Sequence, residues 1–409
     1  MKKTMLRKYA HAIVKIGANL KKGQSVRIDI DTENDAFAEL LVDECYRAGA
    51  SKVRINWGNE AITKLAYKKQ TLKTLSTVSD WQTMRAQEEV DECIVRIVIL
   101  SEDPDAMNGV NLDKVQKASR EVRKVMKPYR DALEGKQQWV IAAAPGKKWA
   151  KKVFPNERTS VAVEKLWEAI LKTARITPDE TPEETWKRHN DAFNEKCAWL
   201  NAQKFTKLRY KNDLGTDFTV GLIPEALFFG GGETTTAGIY FNPNMPTEEI
   251  FTSPKRGEAE GTVYSAMPLV NNGTVIDNFS ITFKDGRAVA WKAEKGEEAL
   301  KNIITLDEGS AYLGEVALVP CNSPIKETGI LFYNTLFDEN ASCHLALGMG
   351  FPNVIENYEE KTLDEIRGLG VNDSLTHIDF MIGDETLSII GIRADGSETA
   401  IFKNGTWAI

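Results

Sequence analysis

VRIDIDTENDAFAELLVDECYRAGASKVRINWG, residues 26–58, places a helical run between two strand-like runs. In VRIDID (26–31), apolar residues alternate with Arg27, Asp29 and Asp31, the two-residue period of a strand. Thr32 stands as an N-cap, residues near 33–48 are helical, and Gly49 ends the run. KVRINWG (52–58) reads as a second strand. CIVRIVIL (93–100) and WVIAAAP (139–145) follow as short apolar runs of buried-strand type. Helical patterns near 4–19, 59–72, 112–134, 159–174 and 183–203 complete the alternation. Strands and helices in this order imply a mostly parallel sheet flanked by helices, an α/β domain over residues 1–203.

Beyond residue 204 the period changes. KLRYKNDLGTDFTVGL (207–222) and FSITFKDGRAVAWKAE (279–294) read as hairpins, the second turning at Asp285-Gly286. The tail from His377 reads as a β-meander with turns at Gly383-Asp384, Asp395-Gly396 and Asn404-Gly405. Helices are expected near 296–304 and 340–349. Residues 204–409 therefore read as a largely antiparallel, barrel-like α+β domain.

Composition narrows the function. The 409 residues are 42% hydrophobic and 27% charged, ordinary for a folded protein. No apolar run approaches the roughly 18 residues that span a bilayer. Residues 1–200 carry 36 Lys+Arg against 29 Asp+Glu, and the remainder 16 against 30, so +7 and −14 make the net −7. That acidity argues against nucleic-acid binding. Five scattered cysteines with no CxxC pair argue against a thiolate metal site or disulfide framework, and for a cytoplasmic protein. No GxGxxG follows the first strand and no GxxxxGK[ST] occurs, so nucleotide sites lack support. GGGE (230–233) reads as a flexible loop, and the Asp residues of VRIDID and SEDPD as turn-capping groups near strand ends.

The chemistry gathers in the second half. His377 and Asp379 form an H-x-D pair in an expected strand, so both project from one face, where they can converge on one ion or face solvent. In LFDENASCHLALGMG (336–350), Asp338 or Asn340 can cap a helix with Glu339 just before it and His344 in its first turn. NPNMPTEEIFTSP (242–254) has adjacent Glu248 and Glu249, of which an extended chain aims at most one at a site. Glu315 interrupts the apolar strand YLGEVALV (312–319), where it either faces solvent or is buried with a partner. Four carboxylates and two imidazoles without a thiolate suit Zn, Co or Mn, and are enough for two ions sharing a carboxylate. His11 and His189 read as packing or surface residues of the first half.

NPNMPTEEIFTSP, LGEVALV, LFYNTLFDENASCHLALG and THIDFMIG together resemble the thermophilic-type metallo-aminopeptidases of the aminopeptidase T and S group; KKGQSVRI fits more loosely. The resemblance implies an aminopeptidase that releases N-terminal amino acids from short peptides by two-metal-activated water attack. It implies Glu249, Glu315, Glu339, His344, His377 and Asp379 as the shell of two divalent ions (Zn, Co or Mn), with Glu315 shared. Glu249, Glu248 and Glu339 are candidates for carrying the proton to the leaving amine. Relatives are similar in forming homodimers with an enclosed chamber, for which residues 1–203 would form a wall or lid. Seven residues after His344, where relatives often carry Tyr, this chain has Phe351. Two other readings remain: a metal-dependent hydrolase of another bond, such as a phosphoester or amide, and a non-catalytic binding protein on the same fold.

Overall fold

The computed structural model of the chain describes residues 1–101, 103–271 and 274–409. They form two compact units, residues 1–189 with 232–247, and residues 190–231 with 248–409. In the first unit, four parallel strands lie in the order Lys52–Gly58, Ser25–Asp31, Val95–Leu100, Trp139–Ala143. Val26, Ile28 and Ile30 are buried on one face with Ile97, Ile99 and Val140. The helix Lys3–Ala12 and the helices Asp35–Arg47 and Thr159–Thr173 add Tyr9, Phe37 and Trp167, whose rings pack at centroid distances of 5.3–6.4 Å. The cap before the second of these helices is one residue earlier than expected: the Asp31 carboxylate accepts from Glu33 N, and Thr32 begins a 3-10 turn. The helices Asp80–Glu92 and Lys147–Val153 escaped the periodicity reading; in the first, Ala86 alone is buried.

In the second unit, the chain folds into two antiparallel sheets. The larger runs Leu269–Asn271, Thr274–Lys284, Pro254–Tyr264, Asp217–Leu222, Lys207–Lys211, Ser388–Ile392, Glu398–Lys403, Thr406–Trp407, with Arg287–Lys295 also paired to Thr274–Lys284. Both expected hairpins are present, the second turning through Asp285 (φ 51°) and Gly286 (φ 78°). Among the described residues no pairing joins the ends of this sheet, so it is an open sheet and not a barrel. The smaller sheet has the order His377–Met381, His344–Gly348, Leu313–Leu318, Ile250–Thr252, Phe229–Gly230.

Two expectations are corrected here. The segment expected as a helix over 340–349 is a strand from His344, because Leu345 and Leu347 alternate with Ala346 and Gly348 across a sheet. The tail is not one meander: His377–Met381 joins the smaller sheet, and the strands from Ser388 onward join the larger. The inner faces of both sheets meet in one apolar cluster. Leu208, Tyr210, Phe218, Ile281 and Phe402 come from the larger sheet, and Ile250, Val316, Leu345, Leu347 and Phe380 from the smaller. The chain passes from one sheet to the other at Ser253, which is fully buried between Ile250–Thr252 and Pro254–Tyr264.

Candidate metal centre

The smaller sheet sorts its side chains by alternation. Ile250, Val316, Leu318, Leu345, Leu347 and Phe380 go to the shared core. Their sequence neighbours go to the opposite face. Register fixes which ones: Phe251 is opposite Ala317, Ala317 opposite His344, Glu315 opposite Ala346, Ala346 opposite Asp379, and Gly348 opposite His377. Glu249, two residues before Phe251, falls on the same face. One face thus carries Glu249, Glu315, His344, His377 and Asp379, with small residues at 317, 346 and 348 between them.

Glu315 reaches this face through a break in the strand. Leu313 is opposite Leu347 and buried in the core, yet Glu315 two residues later is opposite Ala346. That slip is a β-bulge, which turns the carboxylate out of the core. Gly314 makes it possible, since a Cβ there would lie 2.2 Å from Met349 O. Glu315 is only 3% exposed, so its placement on a solvated strand face is ruled out.

The donor atoms form two compact groups, Glu249 with Glu315 and His344, and Glu315 with His377 and Asp379, each within 4.8 Å. Glu315 belongs to both. His344 Nε2 is 3.1 Å from Glu249 Oε2; His377 Nε2 is 3.1 Å from both Glu315 Oε2 and Asp379 Oδ1. The other ring nitrogen of each histidine meets a backbone carbonyl, Ser342 O at 3.1 Å for His344 and Met349 O at 2.6 Å for His377. A carbonyl only accepts, so each Nδ1 carries a proton and donates it, and each Nε2 is aimed into the cluster. This is the orientation of imidazoles that ligate through Nε2. The residues present therefore fit divalent ions.

Glu339 joins from a separate element, the turn Glu339–Ala341 that follows the short helix Thr335–Asp338. Its carboxyl feels the charges of Asp379, Glu249 and Glu315, and burial among them holds it well above the usual carboxylate range. Burial also pushes Glu315 up to about 7. Burial opposes charge on His344 as well, but the Glu249 hydrogen bond and the surrounding carboxylates push it up to about 10. Burial would raise Asp379, yet His377 holds it down at about 2. The protein has thus concentrated negative charge in a desolvated place where, among the described residues, the ion pairs of Glu249, Glu315 and Asp379 are with two histidines.

Asn340 went unrecognised in its actual role. It is fully buried; its Oδ1 accepts from Glu248 N at 2.6 Å, and its Nδ2 donates to Leu336 O at 2.9 Å and towards Glu339 Oε1 at 3.4 Å. One side chain thereby ties the Glu248-Glu249 segment to the Glu339 turn. Asp338 does not cap a helix bearing His344; its carboxylate accepts from Phe332 N and Asn334 N and holds the preceding loop. Glu248 is buried too, but supplies no atom to either donor group. His11 bridges Glu44 and Glu183 in the first unit, and His189 lies 2.8 Å from Thr247 O.

Such a buried set of carboxylates and imidazoles converging from one sheet face defines a candidate divalent-metal centre. The chain belongs to the thermophilic metalloprotease (M29) family, whose model matches residues 2–407. It is 39% identical over 404 residues to aminopeptidase AmpS of Bacillus subtilis, covering 98% of each chain. It is 38% identical over 411 residues to aminopeptidase T of Thermus thermophilus, covering 100% of this chain and 99% of that one. The solved structure of wild-type AmpT from Thermus thermophilus matches with a TM-score of 0.90 at 37% identity over the whole of both chains.

Proposed function

We propose that this protein is an aminopeptidase that removes N-terminal residues from short peptides, using two divalent ions held by Glu249, Glu315, Glu339, His344, His377 and Asp379. The observation that carries the reading is the Glu315 carboxylate, common to two compact donor groups. Two ions sharing one carboxylate require that arrangement. When bound, the ions supply Lewis-acid polarisation of the scissile carbonyl and a water acidic enough to act as nucleophile near neutral pH.

The chain's own groups do the rest. Nδ1–H bonds to Ser342 O and Met349 O fix the two imidazoles. Glu249, in the first donor group, and Glu339, beside both, are carboxylates that can take a proton and pass it to the leaving amine. The free α-amine of a peptide can bind an ion or a carboxylate of this site, which favours N-terminal over internal cleavage. Zn, Co and Mn all fit an oxygen and nitrogen donor set. All five cysteines are free thiols, as suits a cytoplasmic protein. No described helix is long and apolar enough to cross a membrane. The homodimer belongs to the same reading, and exposed Trp57 on the edge strand Lys52–Gly58 with exposed Ile62 and Leu65 on the helix Glu60–Lys69 are apolar groups that a second copy would cover.

The test strips the protein with a chelator, adds back Zn, Co or Mn, and compares leucyl-p-nitroanilide, N-acetyl-leucyl-p-nitroanilide and p-nitrophenyl phosphate. Metal-restored cleavage of the first alone is expected. Equal cleavage of the N-acetylated substrate, or a preference for the phosphoester, would sink the reading.

A further inference from the structure

The face that carries the carboxylates and imidazoles becomes aromatic at its other end. Phe229 is opposite Phe251 in the register of the last two strands, and Phe251 shares its face with Glu249. Phe351 leaves the end of the His344–Gly348 strand and lays its ring 5.1 Å from Phe251, edge to face, and 4.9 Å from the His377 imidazole. Phe251 and Phe351 thus lead by ring contacts to the His377 imidazole, and Phe229 stands opposite Phe251 on the outer strand. All three are half-buried, in a unit whose main core buries its aromatics almost completely.

These rings do not belong to the main core. They pack against a separate small cluster of Ile223, Val354, Ile355, Ile366 and Val371. They are also held in position. Phe351 N donates to Ser253 Oγ at 2.7 Å, and Ser253 is fully buried at the point where the chain changes sheets. A ring backed by packed aliphatic groups and pinned through its backbone is a rigid apolar surface, and each of these rings stays partly exposed. Such a surface beside convergent polar groups is the usual make-up of a small-ligand site.

We propose that Phe229, Phe251 and Phe351 form the wall that receives the side chain of the substrate's N-terminal residue, and that the enzyme therefore selects apolar N-terminal residues. The proposal rests on the aminopeptidase reading above and adds its substrate class. With the substrate's free amine and scissile carbonyl both held at the cluster, the proposal places the first side chain along this face. Three aromatic rings desolvate an aliphatic or aromatic side chain but leave a cationic or anionic one without a partner. A glycine leaves the wall wet.

The experiment measures kcat and KM of metal-loaded protein on leucyl-, phenylalanyl-, glycyl- and lysyl-p-nitroanilide, for wild type, Phe251→Ala, Phe229→Ala and Phe351→Leu. Metal content and circular dichroism are recorded on each. Wild type should favour leucyl over glycyl substrate by at least about tenfold, the scale of several methylenes in an apolar pocket. Phe251→Ala should reduce that ratio about tenfold or more, mostly through kcat/KM of the leucyl substrate, with metal content unchanged. Calorimetric binding of leucine hydroxamate and glycine hydroxamate reads the same preference without turnover, and should lose its leucine advantage in the same variants. If wild type cleaves these substrates but the ratio stays within about twofold in every folded variant, the wall is packing only and the proposal fails alone. If loaded wild type cleaves none of them, the aminopeptidase reading fails, and the proposal with it.

Discussion

Two sheet faces in this chain carry charge by the same alternation and do opposite things with it. On the parallel sheet of the first unit, Arg27 and Asp29 project beside Arg96 of the neighbouring strand. Asp29 Oδ2 accepts from Arg27 at 3.0 Å and from Arg96 at 2.9 Å, and its Oδ1 accepts from Asn56. Arg27 also pairs with Glu89, and Arg54 with Glu88, both from the helix Asp80–Glu92. Asp29, Glu88 and Glu89 there each meet a guanidinium. On the smaller sheet of the second unit, among the described residues, Glu249, Glu315 and Asp379 form their ion pairs with two histidines and with no guanidinium. The first face is complete as a salt-bridge network that holds a helix on a sheet. The second, on the function proposed here, is completed by cations. Carboxylates on a strand face are therefore not diagnostic; the presence or absence of arginine on the same face is.

The largest effect expected from this contrast is on Glu315. Glu315→Gln keeps the shape but removes the charge common to both donor groups. Activity on leucyl-p-nitroanilide should fall by about 10²–10³-fold or more, the scale of losing a group that stabilises transition-state charge. Metal content should fall below two ions per chain while circular dichroism is retained. Glu248→Gln, outside both groups, should cost far less. If Glu315→Gln keeps two ions and most of its activity, the face is not completed by cations in the sense argued here.

Asn340 sharpens the comparison from outside the ligand set. Asn340→Ala cuts the link between Glu248 N and the Glu339 turn without touching a donor group. Groups that orient ligands typically change metal affinity by about 10–100-fold. A weakening of that size, with kcat recovering at saturating metal, would identify a positioning residue. Unchanged affinity would make Asn340 a loop filler.

The paired face predicts the opposite phenotype. Asp29→Asn should leave catalysis near wild type and lower stability by about 1–3 kcal/mol, since charged hydrogen bonds of this kind contribute about that much. Burial would raise the Asp29 carboxyl, but Arg27 and Arg96 hold it below the usual range. A carboxyl depressed in the folded state adds stability above its unfolded pKa of about 3.9, and loses it as pH falls through the folded value. Wild type should therefore lose more stability than Asp29→Asn between about pH 5 and 2. Parallel pH curves for the two proteins would show that the network contributes little.

How far the sequence revealed these faces depended on range. VRIDID, KVRINWG, CIVRIVIL and WVIAAAP are strands in the structure because local alternation and apolar runs suffice there. His377 and Asp379 share a face because two residues in one strand decide it. By contrast, the role of Glu315 depends on a bulge at Gly314 and on pairing with a strand some thirty residues away, which no local pattern encodes. His344 was misplaced onto a helix because Asp338 and Asn340 look like caps; their side chains instead serve Phe332, Asn334 and Glu248. Nothing in the sequence singles out Phe251, since a phenylalanine in a strand is by default core. Only its register opposite Ala317, and its half-exposure, place it beside the histidines.

The smallest effect expected is at the border between the charged and aromatic ends of this one face. The Phe351 ring lies tilted against His377, and its backbone N–H is held by Ser253 Oγ. A hydroxyl added at the ring's far end would extend from a half-buried ring on the face where substrate charge develops. If it reaches that charge, Phe351→Tyr supplies a donor realised only in the transition state, so kcat should rise several-fold with KM little changed. If the hydroxyl instead meets the apolar wall, it must be desolvated without a partner, and the leucyl preference should fall together with kcat. The two outcomes separate in one measurement, kcat and KM of Phe351→Tyr on leucyl- and glycyl-p-nitroanilide at full metal loading. A rise in kcat on both substrates assigns the border to the charged end. A loss confined to the leucyl substrate assigns it to the aromatic one, and would mean that this chain uses position 351 for selectivity where a tyrosine would serve catalysis.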